Sequence, residues 1–297
     1  WLVAAAWPPL AIYPESWTVS TAPWWGALVG WINVHFFETL EAAKNFLVLN
    51  LLVPVRKLLL AQPWPWVVVL LGLAGASLGG RRLALRCVAL SLFVVLVGQW
   101  QNAVLTVYLC GISVVIASLI GIPLGIASAT RPRLWRVVQA VIDTLQTLPS
   151  FVYLIPVVML FRVGDFTAMI AVVLYALAPA VRYSAHGIMA VPERYVEAGT
   201  ACGCTRRQLL WNVRLPLALP TVLLGINQTI MLALSMLVIT ALVGTRDLGQ
   251  EVYVALAKAD VGRGLVAGLC VACIAIIADR LIAAGAARIR TRLGLAP

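Results

Sequence analysis

Residues 102–128 run for 27 positions without a charged side chain. As an α-helix this run rises about 40 Å, against a bilayer hydrocarbon core of about 30 Å. A tilt, a kink near Pro123 or protrusion is therefore expected. Further apolar runs occupy 64–79, 83–99, 151–161 (with part of a short helix at 137–148 that ends at Pro149), 167–190, 217–243 and 265–284. The composition agrees: 62% hydrophobic and 11% charged residues, with a mean hydropathy of +0.98, where soluble domains carry about 45–50% and about 25%. Too little polar surface exists to cover a soluble globule, and disorder, collagen and coiled coil are excluded with it. The runs are continuous, not alternating, which excludes a β-barrel. The chain reads as an all-α polytopic membrane bundle of about seven transmembrane helices.

The ends read differently. Residues 1–30 are rich in Trp and Pro, with Trp1, Trp7, Pro8, Pro9, Pro14, Trp17, Pro23, Trp24 and Trp25. The opening apolar run breaks at Pro8, too soon to span. It is the stub of an earlier helix or an interfacial segment, and a start at Trp1 instead of Met suits a fragment or a fused protein. Residues 31–61 have helical amphipathic spacing, Phe37, Leu40, Leu47, Leu51 and Val55 against Glu38, Glu41, Lys44, Asn45 and Lys57, with a kink expected at Pro54. This helix is expected to lie on the membrane. A membrane-spanning body over 62–285 and a basic tail over 286–297 complete the division.

The net charge of +11 comes from 22 basic against 11 acidic residues. With the N-terminus outside and the C-terminus cytoplasmic, 15 of the 22 basic residues fall inside, among them Arg81, Arg82, Arg86, Arg131, Arg133, Arg136, Arg288, Arg290 and Arg292. The flipped topology reverses this bias and is rejected. The charge thus reports topology, not nucleic-acid binding. The six cysteines, including Cys202, Cys204, Cys270 and Cys273, lack any companion cluster of metal-binding spacing and read as small buried hydrophobes.

One long polar island interrupts the second half: residues 191–220, VPERYVEAGTACGCTRRQLLWNVRLPLALP. Pro192 suits a helix first turn, and Glu193 suits the positive end of its dipole. The pattern predicts a helix over 193–201, a reversal at Gly203 and a second short helix over 205–213 that leads through Leu215–Pro216 to the next span. Such a knob projects into the cytoplasm and suits insertion into a groove on a partner.

Within it, Glu197, Ala198, Gly203, Val213, Leu215 and Pro216 stand at the spacing of the signature of permease subunits of bacterial ABC importers. Gly199 departs from the usual Ala of that signature and weakens the first helix by about 1 kcal/mol. Residues 121–130 (GIPLGIASAT), 143–161, 225–239 and 278–281 also resemble the permeases of glycine betaine/proline-type importers, so the resemblance covers roughly 60–285. It implies the type I ABC importer permease fold, with 31–61 as an external scaffold helix and 191–216 as the loop coupled to a separate ATPase. The chain has no GxxxxGK[ST] phosphate loop, so ATP and Mg would sit on that partner and this chain would bind no cofactor and no metal. Glu193, Glu197, Ala198, Gly199, Gly203, Arg206, Arg207, Val213, Leu215 and Pro216 would form the coupling site. The implied partners are the ATPase, an extracytoplasmic substrate-binding protein, a second permease copy and the bilayer of the inner membrane. The implied cargo is a small osmoprotectant: glycine betaine, proline betaine, choline, carnitine or proline.

The translocation path is less legible. Polar groups inside apolar spans face a bundle interior or cavity, which selects Asp143, Gln146, Asn227, Gln228, Thr229 and Ser235, although interhelical packing explains them as well. A quaternary ammonium favours aromatic faces, which adds Phe151, Tyr153 and Tyr175. Asp279–Arg280 reads as a local charge pair. A secondary transporter is the main rival, but it needs a midplane ionisable site on repeated halves. A membrane enzyme lacks support, since His35 and His186 are the only histidines and lie far apart. A channel would need a charged ring or filter motif.

Overall fold

The computed structural model describes residues 18–294, and every element among them is helical. The Trp1–Trp17 expectations lie outside the described residues. In chain order, α1 (Ala22–Leu47) passes through a π-helical turn (Val48–Leu52) into α2 (Val53–Leu60). Then follow α3 (Trp64–Leu96), α4 (Trp100–Ala129), α5 (Pro132–Thr147), α6 (Ser150–Phe161), α7 (Asp165–Met189) and α8 (Glu193–Ala201). The short α9 (Arg206–Gln208) runs through a second π turn (Leu209–Arg214) into α10 (Leu215–Thr240), and α11 (Leu248–Ala257) and α12 (Val261–Arg292) close the bundle.

The amphipathic helix begins at Ala22, before the expected residue 31, because Pro23 sits in its first turn, where a missing N–H costs nothing. Its kink at Pro54 is replaced by the π turn, and the same device recurs at Pro216. Each proline stands two residues beyond a π turn. The wider turn relieves the clash of the ring with the carbonyl four residues back. As a result the second knob helix does not stop at Val213 but runs through Pro216 into the next span without a break.

Five stretches are long and apolar enough to cross a membrane, six when α5 and α6 count as one span bent by 97°. Gly80 (φ 76°, ψ −170°) breaks α3. A Cβ on Gly75 would lie 2.9 Å from the Ala84 Cα, and one on Gly72 would lie 2.9 Å from Val88 Cγ2. The arms 64–79 and 81–96 therefore double back as a hairpin with Arg81 and Arg82 at its tip. Each arm rises about 24 Å, somewhat short of a full hydrocarbon core. The seven expected apolar runs fall on these two arms, α4, the α5–α6 pair, α7, α10 and α12, where five or six stretches have the length of a span.

Packing sets the directions. Tyr108 and Leu109 sit beside Asp165, and a Cβ on Gly121 would meet Ala180 at 2.7 Å and one on Gly125 the Val181 carbonyl oxygen at 2.5 Å. Thus α4 and α7 run parallel, so α5 and α6 together must carry the chain back once across the bundle. Gly187 abuts Ala218 and Thr221, whereas Gly225 abuts Tyr183, so α10 is antiparallel to α7. The most buried helix is α7, with Ala168, Met169, Ala171, Val172 and Ala176 at 0% exposure. Small residues let its neighbours approach closely. The hairpin tip, the knob and the end of α12 share one edge of the bundle. Residue 164, the Gly244 turn and α11 share the other.

On α1 no residue is buried. Leu47, the π turn and α2 pack on the core, where Leu52 is 2% exposed and Arg56 Nη1 lies 3.5 Å from Asp165 Oδ2.

Candidate functional site

The knob is built from local rules. Extended Pro192 (φ −57°, ψ 135°) starts α8. The helix ends on a Schellman reversal: the Gly203 N–H donates to the Thr200 carbonyl at 2.9 Å and the Cys204 N–H to the Gly199 carbonyl at 3.0 Å. Gly203 takes φ +79°, which costs an L side chain about 1–2 kcal/mol. Thr205 restarts the chain with a capping box: the Gln208 N–H donates to the Thr205 hydroxyl at 3.3 Å, and the Thr205 N–H to Gln208 Oε1 at 2.8 Å.

The two limbs then pack. Leu209 is buried, and a Cβ on Gly199 would lie 2.8 Å from its Cδ2 and 3.5 Å from Val213 Cγ2. The departure at Gly199 therefore admits Leu209 beneath α8. On the outward side Glu193, Glu197, Ala198, Gly203, Arg206 and Arg207 are exposed, whereas Val213, Leu215 and Pro216 are half-buried at the root. The structure thus gathers all ten expected coupling residues on one short helix–turn–helix. Neither Glu193 nor Glu197 enters an ion pair among the described residues.

Trp211 joins the outward face at 56% exposure, beside an open hollow of about 620 Å³ lined with Thr205, Arg207, Gln208 and Asn212. Its signal was available, since a tryptophan inside a polar stretch next to two arginines suits an interface.

The expected pathway residues do not converge. Tyr153 is buried and meets Tyr175 edge-to-face, with centroids 6.0 Å apart. Phe151 is exposed on α6, and Gln228 and Ser235 are exposed on one stripe of α10. Asn227 is buried and donates to Asp279 Oδ1 at 2.7 Å, which makes Asp279 a bridge between α10 and α12 as well as the partner of Arg280 at 3.6 Å. The Thr229 hydroxyl turns to the Gly225 carbonyl at 2.9 Å, and Asp143 pairs with Arg182 at 2.5 Å.

At the opposite edge lies a carboxylate that sequence reasoning passed over. Asp247 is 2% exposed. Its Oδ1 accepts the Gln250 N–H at 3.2 Å, capping α11, and the Thr245 hydroxyl at 3.3 Å. Its Oδ2 is buried without a partner. Arg56, Tyr108, Asp165 and Arg246 line the same small cavity. Burial pushes the Asp247 carboxyl up to about 6, against the lowering pull of its hydrogen bonds.

Residues 121–291, which include the whole knob, match the model of the binding-protein-dependent transport system inner membrane component. The chain belongs to this family. Among curated relatives, the trimethylamine N-oxide transport system permease protein TmoV of Pelagibacter ubique is 42% identical over 95% of this chain and 40% of its own length. The glycine betaine/proline betaine transport system permease protein ProW of Escherichia coli is 34% identical over 85% of this chain and 71% of its own. The glycine betaine/carnitine permease GbuB of Listeria monocytogenes is 44% identical over 61% of this chain and 64% of its own. The chain thus spans about two fifths of the length of the trimethylamine N-oxide permease it matches. An inward-facing structure of the MetNI methionine ABC transporter superposes with a TM-score of 0.56 at 21% identity, covering 67% of this chain and 95% of that one. The chain therefore shares its fold with that chain of the MetNI methionine ABC transporter.

Proposed function

We propose that this chain is the membrane-spanning permease subunit of an ATP-driven importer, oriented with the knob and the C-terminus in the cytoplasm. The observation that carries the reading is the knob. It is a self-capped helix–turn–helix with Glu193 and Glu197 outward and in no ion pair among the described residues, and its second limb is one continuous helix with α10. A partner ATPase, binding ATP and Mg, would seat the knob in a groove, where Ala198 and Gly203 allow close backbone approach and Glu197 pairs with a basic group. Closure of that partner would push on Arg206–Gln208 and, through the π turn, tilt α10 with its exposed Gln228 and Ser235. A second permease copy would cover that stripe and complete the pathway, and α1 would lie on the membrane as a scaffold.

The cargo class we propose is a small solute carrying an N-methylated, positively charged nitrogen. Relatives are named for glycine betaine, proline betaine, carnitine and trimethylamine N-oxide, which adds an N-oxide to the osmoprotectants suggested by the sequence. An external or fused binding protein would select among them, so competition binding to that protein discriminates the candidates. Reconstitution with an ATPase and a binding protein tests the whole reading. Replacing Glu197 and Gly203 together by Lys is expected to abolish uptake while ATP hydrolysis and membrane insertion persist. Uptake without any ATPase would instead establish a secondary transporter.

A further inference from the structure

We infer that the cleft between the α3 hairpin, α4 and α12 is a binding site for a phospholipid acyl chain. The cleft holds about 320 Å³, within the range of small-molecule sites, about 300–1,000 Å³. It exists because the second hairpin arm packs on α12, with Leu83 and Cys87 against Ile277 and Val94 near Cys270 and Cys273, while small Ala103 and Ala278 face the gap toward α4.

Its wall is apolar. Val67, Leu71, Val104 and Ile274 contribute hydrocarbon, and the one hydroxyl along it, that of Ser91, is turned to the Cys87 carbonyl at 2.7 Å. Val107, 44% exposed, marks where the cleft opens on the outer surface of the bundle. An apolar void does not take up water, and between membrane spans the only abundant apolar filler is lipid. Protein interiors otherwise close such gaps to crystal-like density.

The rim at one end is amphipathic. Gln62 and Trp100 stand there, Trp100 in the first turn of α4, on the bundle edge away from the arginine-rich hairpin tip. An indole and an amide at the end of an apolar slot suit the ester level of a lipid whose chain runs down between the helices. Occupancy would wedge the hairpin against the core and tie α2, α3, α4 and α12 together. The inference depends on membrane insertion alone, not on the transport reading.

The test uses the full chain reconstituted in Escherichia coli lipid vesicles doped with phosphatidylethanolamine bearing a diazirine in its acyl chain. Mass spectrometry of photoadducts is expected to show them concentrated at Val67, Leu71, Val104 and Ile274. Filling the slot with Val104→Trp or Ala278→Trp is expected to lower adduct yield there about tenfold, equivalent to losing the burial of about two methylenes. Leu73→Trp, on the exposed outer side of the hairpin, is expected to leave it unchanged. Ala278→Phe serves where a tryptophan variant does not fold, and the filled variants are also expected to lose the rise in Tm that added lipid gives the parent protein. Adducts spread evenly over exposed residues such as Leu73, or yields indifferent to Val104→Trp and Ala278→Phe, would overturn the site. So would an absence of lipid adducts at all four slot residues.

Discussion

Gly203 carries a conformational demand that no contact explains. A Cβ there meets nothing within 4 Å, yet φ is +79°. Gly203→Ala is therefore expected to loosen the reversal by about 1 kcal/mol through backbone strain alone, and Gly203→Asn by less, since Asn tolerates the left-handed region. Hydrogen exchange at the Gly203 and Cys204 amides measures both, and equal protection in the Ala variant would refute the strain argument. Asp247 makes the opposite point, because its conformation is ordinary and its burial is not. Its folded-state value of about 6 exceeds the ordinary 3.8. The folded chain thus holds this proton more tightly than the unfolded chain. The associated stability is whole below about pH 4 and is lost as pH climbs through about 6, a difference of up to about 3 kcal/mol. Asp247→Asn keeps the capping oxygen and removes the charge. It is expected to raise Tm at pH 7.5 and flatten the slope between pH 4 and 7 relative to the parent, as followed by thermal unfolding in detergent.

Between elements, the tightest contact is the parallel pair α4 and α7. Gly121 and Gly125 form a small-xxx-small face, and a Cβ on Gly125 would meet the Val181 carbonyl oxygen at 2.5 Å and Ser184 Cβ at 2.8 Å. Backbone cannot rotate away as a side chain can, so Gly125→Ala is expected to cost about 1–3 kcal/mol. Gly111→Ala on the same helix meets nothing within 4 Å and is expected to be neutral or slightly stabilising. Equal melting temperatures for the two variants would contradict this packing. The segment GIPLGIASAT was visible in the sequence, but which helix its glycines face was not, because periodicity identifies a face and never its partner. The same limit applied to the knob. The first limb and the reversal at Gly203 were legible because they are local backbone chemistry, while the capping box of Thr205 and Gln208 was overlooked although its residues stand at the usual spacing. The continuity of the second limb into α10 was not, because a π turn that accommodates Pro216 leaves no compositional mark.

For the molecule as a whole, orientation is the property most open to direct measurement. Cys202 is exposed on the knob and Cys204 beside it is half-buried, against the burial expected of both, whereas Cys87, Cys110, Cys270 and Cys273 are buried. A membrane-impermeant maleimide is expected to label Cys202 rapidly in inside-out vesicles and not in intact cells, with loss of labelling when Cys202 and Cys204 are both replaced by Ser. Labelling from the outer face would invert the proposed topology and with it the site of ATPase docking. The hairpin tip Arg81–Arg82, the knob and the end of α12 lie on one edge of the bundle, so a single measurement orients all three.

Hydropathy and charge alone determined that this chain lives in a membrane as a helical bundle with an uneven distribution of its arginines, because transfer into hydrocarbon acts on each residue nearly independently of the fold. Local capping chemistry likewise determined where the knob turns. Tertiary structure alone decided that α3 is a hairpin, that α5 and α6 make one bent crossing, that Asn227 is taken up by Asp279, and that Asp247 is buried with one oxygen unsatisfied. Each of those depends on which surfaces meet across long sequence separations, and a linear pattern of apolar residues supplies many equivalent partners for every face.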